Sequence, residues 1–352
     1  MDEYDVIVVG AGPAGATAAF FIKYHDKSKR VLLIDKLEGE RYNTYHRICG
    51  EAIRAITIDE LSPLVIDGIV ERIYLVREIF GRNKIELPAH GLLVNRVIML
   101  KSIIEQFKRL GGEYKNSRFL GLEVKDDKII VETNEGMLRT KYLIGADGAH
   151  STVRKMLNIP DPSICFATQY IIDKEPVHGV LEFYFDKNYK SNYKWIFANG
   201  NTTKIGVLAG SLNKEEIDGK ILQKQSRSIA FGGVRDIVKG NILLVGEAAG
   251  QANAFSKGGI RPGMNAGKWA AEAVINANPD LYRRKWSSSK FNSKLSKYMF
   301  EKFKQMNTEE ISNHMNPFVK YDGAMSYIVA VLFYTKYLKL YYANYIVGDY
   351  SW

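Results

Sequence analysis

Short, fully apolar runs alternate with stretches of helical period over the first half of the chain. Tyr4–Gly10 is one such run, rich in β-branched residues and ended by Gly-Ala-Gly-Pro-Ala-Gly. "ATAAFFIKYH" then has helical composition and "RVLLIDK" is a second buried run, so the opening predicts a βαβ unit of about 30 residues. "DGIVERIYLVREIFGRNKIELPA" reads as extended segments, and "VIMLKSIIEQFKRLGGEY" as an amphipathic helix closing at Gly111–Gly112. Two strands follow, "RFLGLEVK" and "KIIVETN", with Asp126–Asp127 as the turn between them. "TKYLIGADGAHSTVRKML" is a further strand entering a helix.

Between Cys165 and Ala209 the pattern is mostly strands: "FATQYIID", "VLEFYFD", "YKWIFANG" and "KIGVLAG". Their connections are too short for crossover helices, which predicts antiparallel pairing. "NILLVGE" returns to the buried-strand pattern, and from Lys268 onward the period is helical, with aromatics concentrated late. The order predicts an α/β chain, α+β overall. A Rossmann-like nucleotide-binding domain takes residues 1–68, 92–160 and 235–275, and an inserted antiparallel β-sheet domain takes 69–91 and 161–234. Residues 276–352 form a helical C-terminal segment.

Composition narrows the class. The chain has 352 residues, enough for one large core or two moderate ones, with ordinary globular proportions of 46% hydrophobic and 25% charged residues. Lys+Arg at 49 against Asp+Glu at 39 give a formal charge of +10, which suits anionic partners such as phosphorylated ligands or acidic lipid surfaces. No dense basic tract accompanies that charge, so no nucleic-acid partner is expected. The two cysteines, Cys49 and Cys165, make neither a disulfide framework nor a CxxC knuckle, and their scarcity fits a reducing, cytoplasmic interior. The six histidines lack HExxH or paired spacing, so no metal is expected.

Residues 1–20 do not read as a signal peptide, because the acidic "MDEYD" stands where a basic start is needed. Ala324–Thr335 is apolar but closed by Lys336 and Lys339, short of the roughly 20 residues a spanning helix requires. A buried helix and an interfacial helix are the alternatives. The tail "YTKYLKLYYANYIVGDYSW" interleaves tyrosines with lysines. That suits a membrane interface or the mouth of a lipid cavity, and equally a terminal helix packed onto the domain. Peripheral membrane contact belongs to the first reading.

Gly10-x-Gly12-x-x-Gly15 follows a strand and opens a helix at Pro13 and Ala14. Gly10 allows the tight turn, Gly12 lets a pyrophosphate approach the backbone, Gly15 allows close helix packing, and the helix N-terminus favours anionic phosphates. Asp35 ends the second strand 20 residues beyond Gly15, where an acid binds a ribose hydroxyl. Together these predict dinucleotide binding, with FAD and NAD both open.

Two later stretches decide between them. "YLIGADGAHSTVRKML" carries Asp147–Gly148 with Ser151 and Arg154 downstream, and "NILLVGEAAGQANAFSKGGIRPGMNAG" carries Glu247, small residues, then Gly258–Gly259. These resemble the second and third fingerprints of the flavoprotein group that includes p-hydroxybenzoate hydroxylase and the geranylgeranyl reductases. "YKWIFANG" looks like the Tyr-x-Trp-x-Phe-Pro signature of the reductases, and "RICGEAI" like their Cys-Gly motif beside the flavin. The five motifs match in order between residues 4 and 270.

The resemblance implies FAD, held by both glycine-rich turns at once. Glu247, after Gly246, would bond a ribityl hydroxyl. The helix starting near Gly259–Gly263, with Ile260 and Asn265 in its first turns, would aim its N-terminus at the pyrimidine edge of the flavin. Arg47, Cys49 and Gly50 would lie beside the flavin, Arg96 near the cofactor, Phe119 and Lys36 at the adenosine, and Asp147 between the halves of the domain. Cys49 reads either as a proton donor or substrate-positioning group or as a small buried hydrophobe, and Cys165 as core. Tyr193, Trp195 and Phe197 alternate on one strand face, as a wall of the substrate cavity or as sheet core.

The chain departs from the family pattern at Glu247, Ala254, Lys257 and Ala198, and is short between Gly210 and Asn241. The implied activity is hydride transfer from reduced flavin to isolated double bonds of a polyprenyl or lipid substrate. An aromatic hydroxylase and a non-catalytic electron-transfer flavoprotein are the alternatives. The reductant stays open among NAD(P)H, ferredoxin and other donors.

Overall fold

A computed structural model describes residues 1–189, 193–208, 210–350 and 352. Ala209, at the end of the expected "KIGVLAG" strand, and Ser351, in the tyrosine-rich tail, lie outside the described residues.

Two eight-stranded sheets carry the architecture. The first runs Val238–Lys239, Ile242–Leu244, Gly136–Gly145, Asp2–Val9, Val31–Asp35, Glu113–Asn116, parallel from the second strand onward. Val6–Val8 and Leu32–Ile34 are wholly buried. Unbroken apolar runs, without alternation, are what strands covered on both faces require. A hairpin, Phe119–Lys125 with Lys128–Thr133, extends the sheet antiparallel from Gly136–Gly145. Its turn residues Asp126 and Asp127 both have positive φ, 48° and 58°, the conformation a two-residue hairpin loop needs. This is the expected Rossmann-like α/β arrangement.

The helices Pro13–His25 and Ile260–Ile275 pack unusually close. A Cβ at Gly267 would come within 2.2 Å of the Ala14 carbonyl oxygen. Small residues at the crossing bring the N-terminal ends of the two helices together, although 245 residues separate Gly15 from Ile260.

The second sheet runs Lys220–Phe231, Ser163–Asp173, Thr202–Leu208, Tyr193–Asn199, Val180–Phe185, Ile69–Phe80, Asn83–Val94, Ala52–Arg54. It departs from the fully antiparallel expectation at one pair: Val180–Phe185 lies parallel to Ile69–Phe80. That is the seam where two distant pieces of chain join, so no hairpin imposes antiparallel pairing there. The sheet also reaches beyond residues 69–91 to include Ala52–Arg54 and all of Asn83–Val94.

From Pro279 the chain is helical, as expected. Met299, Phe303, Met306, Ile311, Met315, Tyr337 and Leu340 from this segment share one apolar cluster with Phe80, Phe185 and Tyr193 of the second sheet. The segment is therefore packed onto the sheet rather than trailing from it.

Candidate functional site

One cavity of about 1520 Å³ runs between the two sheets, larger than the 300–1,000 Å³ usual for a single small ligand. Both glycine-rich turns open into it. Gly10 has φ +102°, and a Cβ there would strike the Ala146 carbonyl at 2.4 Å, while one at Gly15 would meet the Gly10 carbonyl at 1.9 Å. These two glycines are demanded by the protein itself. Gly12 is different, because a Cβ there would find nothing nearer than His46 Cε1 at 3.9 Å. The space over Gly12 opens into the cavity.

The second turn is built against the first. A Cβ at Gly246 would lie 2.8 Å from Ala14 Cβ. Neither the Pro13–His25 helix nor the Ile260–Ile275 helix has a side-chain N-cap, and Gly12, Pro13, Ala14, Gly259, Ile260 and Gly263 all line the cavity. Two uncapped helix starts in one cavity leave N–H groups available to an anion.

Buried polar atoms without partners among the described residues collect in the same place. They are both ring nitrogens of His46, Nε and one terminal nitrogen of Arg227, and Oε2 of Glu247. Arg227 donates to Glu247 Oε1 at 3.3 Å and stacks its guanidinium 4.8 Å from the Tyr45 ring. Burial, with the nearby Arg96 and Arg227 charges, pulls His46 down to about 2, so its imidazole is neutral. Groups buried this way need hydrogen bonds, and a dinucleotide bearing phosphates and hydroxyls supplies them. The residues present fit FAD.

Asp35 sits at the end of its strand and lines the cavity, but its carboxylate also closes the turn, accepting from Ala11 N at 2.7 Å and Leu37 N at 2.8 Å. Burial pushes this carboxyl up while those two N–H groups hold it down, the first effect being larger. Phe119 and Lys36 line the same end of the cavity. Asp147 lines it too while capping the Thr152–Met156 helix, accepting from Ser151 Oγ at 2.5 Å and Thr152 N at 2.6 Å. Arg96 is buried at the start of the Arg96–Arg109 helix, and its Nε donates to the His46 carbonyl at 2.7 Å.

Cys49 and Gly50 line the middle of the cavity on a turn held from three sides. Glu51 adopts φ +65°, a conformation that costs a non-glycine residue of order 1–3 kcal/mol unless its surroundings impose it. Its carboxylate accepts from Arg96 N at 2.9 Å and forms a buried ion pair with Lys204. Lys204 Nζ also donates to the Cys49 carbonyl at 3.4 Å, and the Glu51 N–H donates to Cys49 Sγ at 3.3 Å. These contacts fix Cys49 against the second sheet.

Beyond Cys49 the cavity becomes aromatic. Tyr193, Trp195 and Phe197 are all buried and all line it, with Phe183 opposite Trp195 on the neighbouring strand. The Tyr193 hydroxyl donates to the Ser256 carbonyl, tying the wall to the second glycine turn. The Trp195 indole lies flat over Gly206, where a Cβ would fall 1.9 Å from the ring, and its Nε1 comes within 3.9 Å of a Cβ placed on Gly50. That Nε1 is buried without a partner among the described residues.

Glu78 continues the row, paired with Phe183 one strand farther on. Its side chain faces the cavity, and its Oε2 is buried with no partner among the described residues. Burial alone pushes its carboxyl up to about 7.

Lys257, one of the departures from the family pattern, lies in the second turn with φ +58° and lines the cavity, its ammonium set between two aromatic rings. Its Nζ lies 3.7 Å from the Phe231 ring centre and 3.9 Å from that of Phe300, and it donates to the Ala254 carbonyl. Burial pulls the ammonium down to about 7, against the opposing influence of Cys165, Glu301 and the two ring faces.

Two residues expected at the cofactor, Arg47 and Asn265, are not brought to the flavin end. Arg47 is exposed at the end of the Gly39–Arg47 helix, 3.9 Å from Glu40. Asn265 is buried on the far side of its helix and donates to Glu60 Oε2 at 3.0 Å. Cys165, expected in the core, is half-buried against the apolar clusters, and burial pushes its thiol up. Sequence reasoning missed His46, Glu51, Glu78, Lys204 and Arg227.

Residues 5–47 match the FAD binding domain family. Over 310 residues the chain is 27% identical to digeranylgeranylglycerophospholipid reductase of Methanococcus vannielii, covering 78% of each. It is likewise 27% identical over 359 residues to the enzyme of that name from Methanococcus aeolicus, covering 88% of this chain and 89% of the relative. Among solved structures, a geranylgeranyl bacteriochlorophyll reductase-like protein from Thermoplasma acidophilum superposes with a TM-score of 0.82 at 19% identity, covering 99% of this chain and 100% of that one.

Proposed function

We propose, from the premise that this chain is an FAD-dependent oxidoreductase related to the geranylgeranyl reductases, that it saturates isolated double bonds in the prenyl chains of a glycerophospholipid. The observation that carries the reading is the cavity itself: one continuous space joins the two glycine turns to an apolar, aromatic-walled half.

The first half would hold FAD. Gly12 and the two helix starts would take the pyrophosphate, Asp35 and Phe119 the adenosine, and Arg227 with Glu247 the polar groups nearer the ring system. Bound and reduced, FAD supplies a hydride to one alkene carbon.

The second half answers to the substrate. An unactivated alkene has no oxygen to polarise, so alignment and exclusion of water are what the protein contributes. Phe183, Trp195 and Phe197 line this half with aromatic surface suited to a flexible hydrocarbon, and Tyr193 locks that wall to the cofactor turn. The Cys49 thiol, held beside the wall by the Glu51 turn, is the proton source we assign for the second carbon.

An anaerobic single turnover tests this. The protein is reduced with dithionite and mixed with a geranylgeranyl glycerophospholipid in detergent. Return of the oxidised flavin spectrum with a gain of two hydrogens per reduced bond is the expected result. Flavin that stays reduced beside a lipid of unchanged mass would refute the substrate class.

A further inference from the structure

The Gly323–Phe333 helix, "GAMSYIVAVLF", is apolar on every side, yet only Ser326, Val329 and Ala330 are buried. Met325, Tyr327, Ile328, Val331, Leu332 and Phe333 are 49–75% exposed, and Tyr342 and Tyr345 of the following helix continue the patch. A contiguous apolar surface of this kind marks a contact. At 11 residues the helix is about 16 Å long, half of the roughly 30 Å hydrocarbon core of a bilayer. No helix among the described residues is long and apolar enough to cross a membrane.

Two further observations select the occupant. Lys320, Lys336 and Lys339 flank the patch, all exposed, against one acid, Asp322, between Val319 and Tyr345. The cavity opens at the same place, since Tyr321, Gly323, Ser326, Tyr327 and Tyr345 also line it.

We propose that this face docks on a bilayer carrying anionic headgroups. The short helix lies in the interface, and the cavity mouth opens onto the lipid. Exposed aromatic and aliphatic side chains between lysines suit that position, the rings at headgroup depth and the ammonium groups reaching phosphates. A second copy of the chain is a poorer occupant, because a two-fold contact of this patch with itself brings its lysines toward each other. The inference rests on the reading above, in which the cavity receives a prenyl lipid.

The test is co-sedimentation of the flavin-loaded full chain with vesicles of phosphatidylcholine containing about 30% phosphatidylglycerol, against pure phosphatidylcholine. We expect binding to the anionic vesicles that weakens between low and high salt, and a loss of about tenfold or more in Leu332→Asp/Phe333→Asp. Lys320→Glu/Lys336→Glu, which leaves the apolar face intact, loses binding to the anionic vesicles. Val124→Asp, at an exposed apolar site on the distant hairpin, changes neither. Flavin content and circular dichroism matching wild type show that the variants are folded. The proposal is overturned if wild type fails to sediment, if the double aspartate binds as wild type does, or if sedimentation velocity shows a dimer that this variant dissociates. Vesicle binding without turnover of detergent-solubilised prenyl lipid supports the docking face and sinks the substrate class. Turnover in detergent without vesicle binding does the reverse.

Discussion

Glu78 is a carboxyl placed in an apolar wall with one oxygen unpaired, and replacing it by glutamine isolates the cost of its charge. In the unfolded chain it titrates near its ordinary value of 4.5, and burial raises it to about 7 in the folded protein. Well below 4.5 both states hold the proton, and the carboxyl costs nothing. Between 4.5 and 7 the unfolded chain gives up its proton first, so stability falls as pH rises, and above 7 it stays at the lower level. The gap, at about 1.36 kcal/mol per pH unit, amounts to about 3 kcal/mol. For a chain of 352 residues that is about 5 °C in Tm.

Glu78→Gln keeps the shape and removes the titration. Thermal melts followed by circular dichroism at pH 5 and pH 8 should therefore give a variant close to wild type at the lower pH and about 5 °C more stable at the higher. Equal Tm values at pH 8, or a difference of the same size at both pH values, would refute the reasoning, because the carboxyl would then be solvated or paired in the folded state.

Gly12→Ala should leave Tm within about 1 °C while flavin retention after gel filtration falls at least about tenfold, since its Cβ enters the cavity and clashes with no protein atom, the nearest being His46 Cε1 at 3.9 Å. Gly15→Ala, with a Cβ 1.9 Å from the Gly10 carbonyl, should instead lose about 3 kcal/mol in folding, and the contrast between the two melts checks the assignment. Arg227→Met strands the Glu247 carboxylate in a buried site, so both the flavin-to-protein absorbance ratio and stability should drop, the latter by about 3 kcal/mol; an unchanged ratio would place Arg227 outside the cofactor site. Lys257 titrates lower in the folded protein than in the unfolded chain, so wild-type stability gains from this residue as pH climbs from about 7 toward 10.5; Lys257→Met should flatten that rise between pH 7 and 9.5, and an unaltered slope counts against a buried ammonium.

The nucleotide half was legible because its strands are buried on both sides and its glycines answer to steric demands within a few residues of themselves. Arg47 and His46 show where local reading stops. Arg47 opens a motif assigned to the flavin and His46 directly precedes it, but one residue of helix is a 100° rotation, and it is His46 that faces Gly12 while Arg47 meets solvent. The same geometry displaces Asn265: Ile260 and Gly263 share the cavity face of their helix, whereas Arg261, Asn265 and Lys268 line up on the opposite face around Glu60. Arg227 was hidden for another reason. Its strand, "KILQKQSRSIAF", is the edge of the second sheet and largely exposed, so it carries no apolar alternation to announce it. Glu51 and Lys204 are 153 residues apart, and nothing in either neighbourhood signals their pairing.

Trp195 rests where residue 206 has no side chain, and Gly206 itself does not line the cavity. The gauge of the hydrocarbon half is thus set from behind its own wall. Trimming Trp195 would widen the space at one point, whereas any side chain at position 206 would lift the whole ring and narrow the passage for every substrate alike. Selection for longer or shorter prenyl chains therefore has a handle at a site that no substrate ever meets, and an engineer seeking altered specificity has the same one.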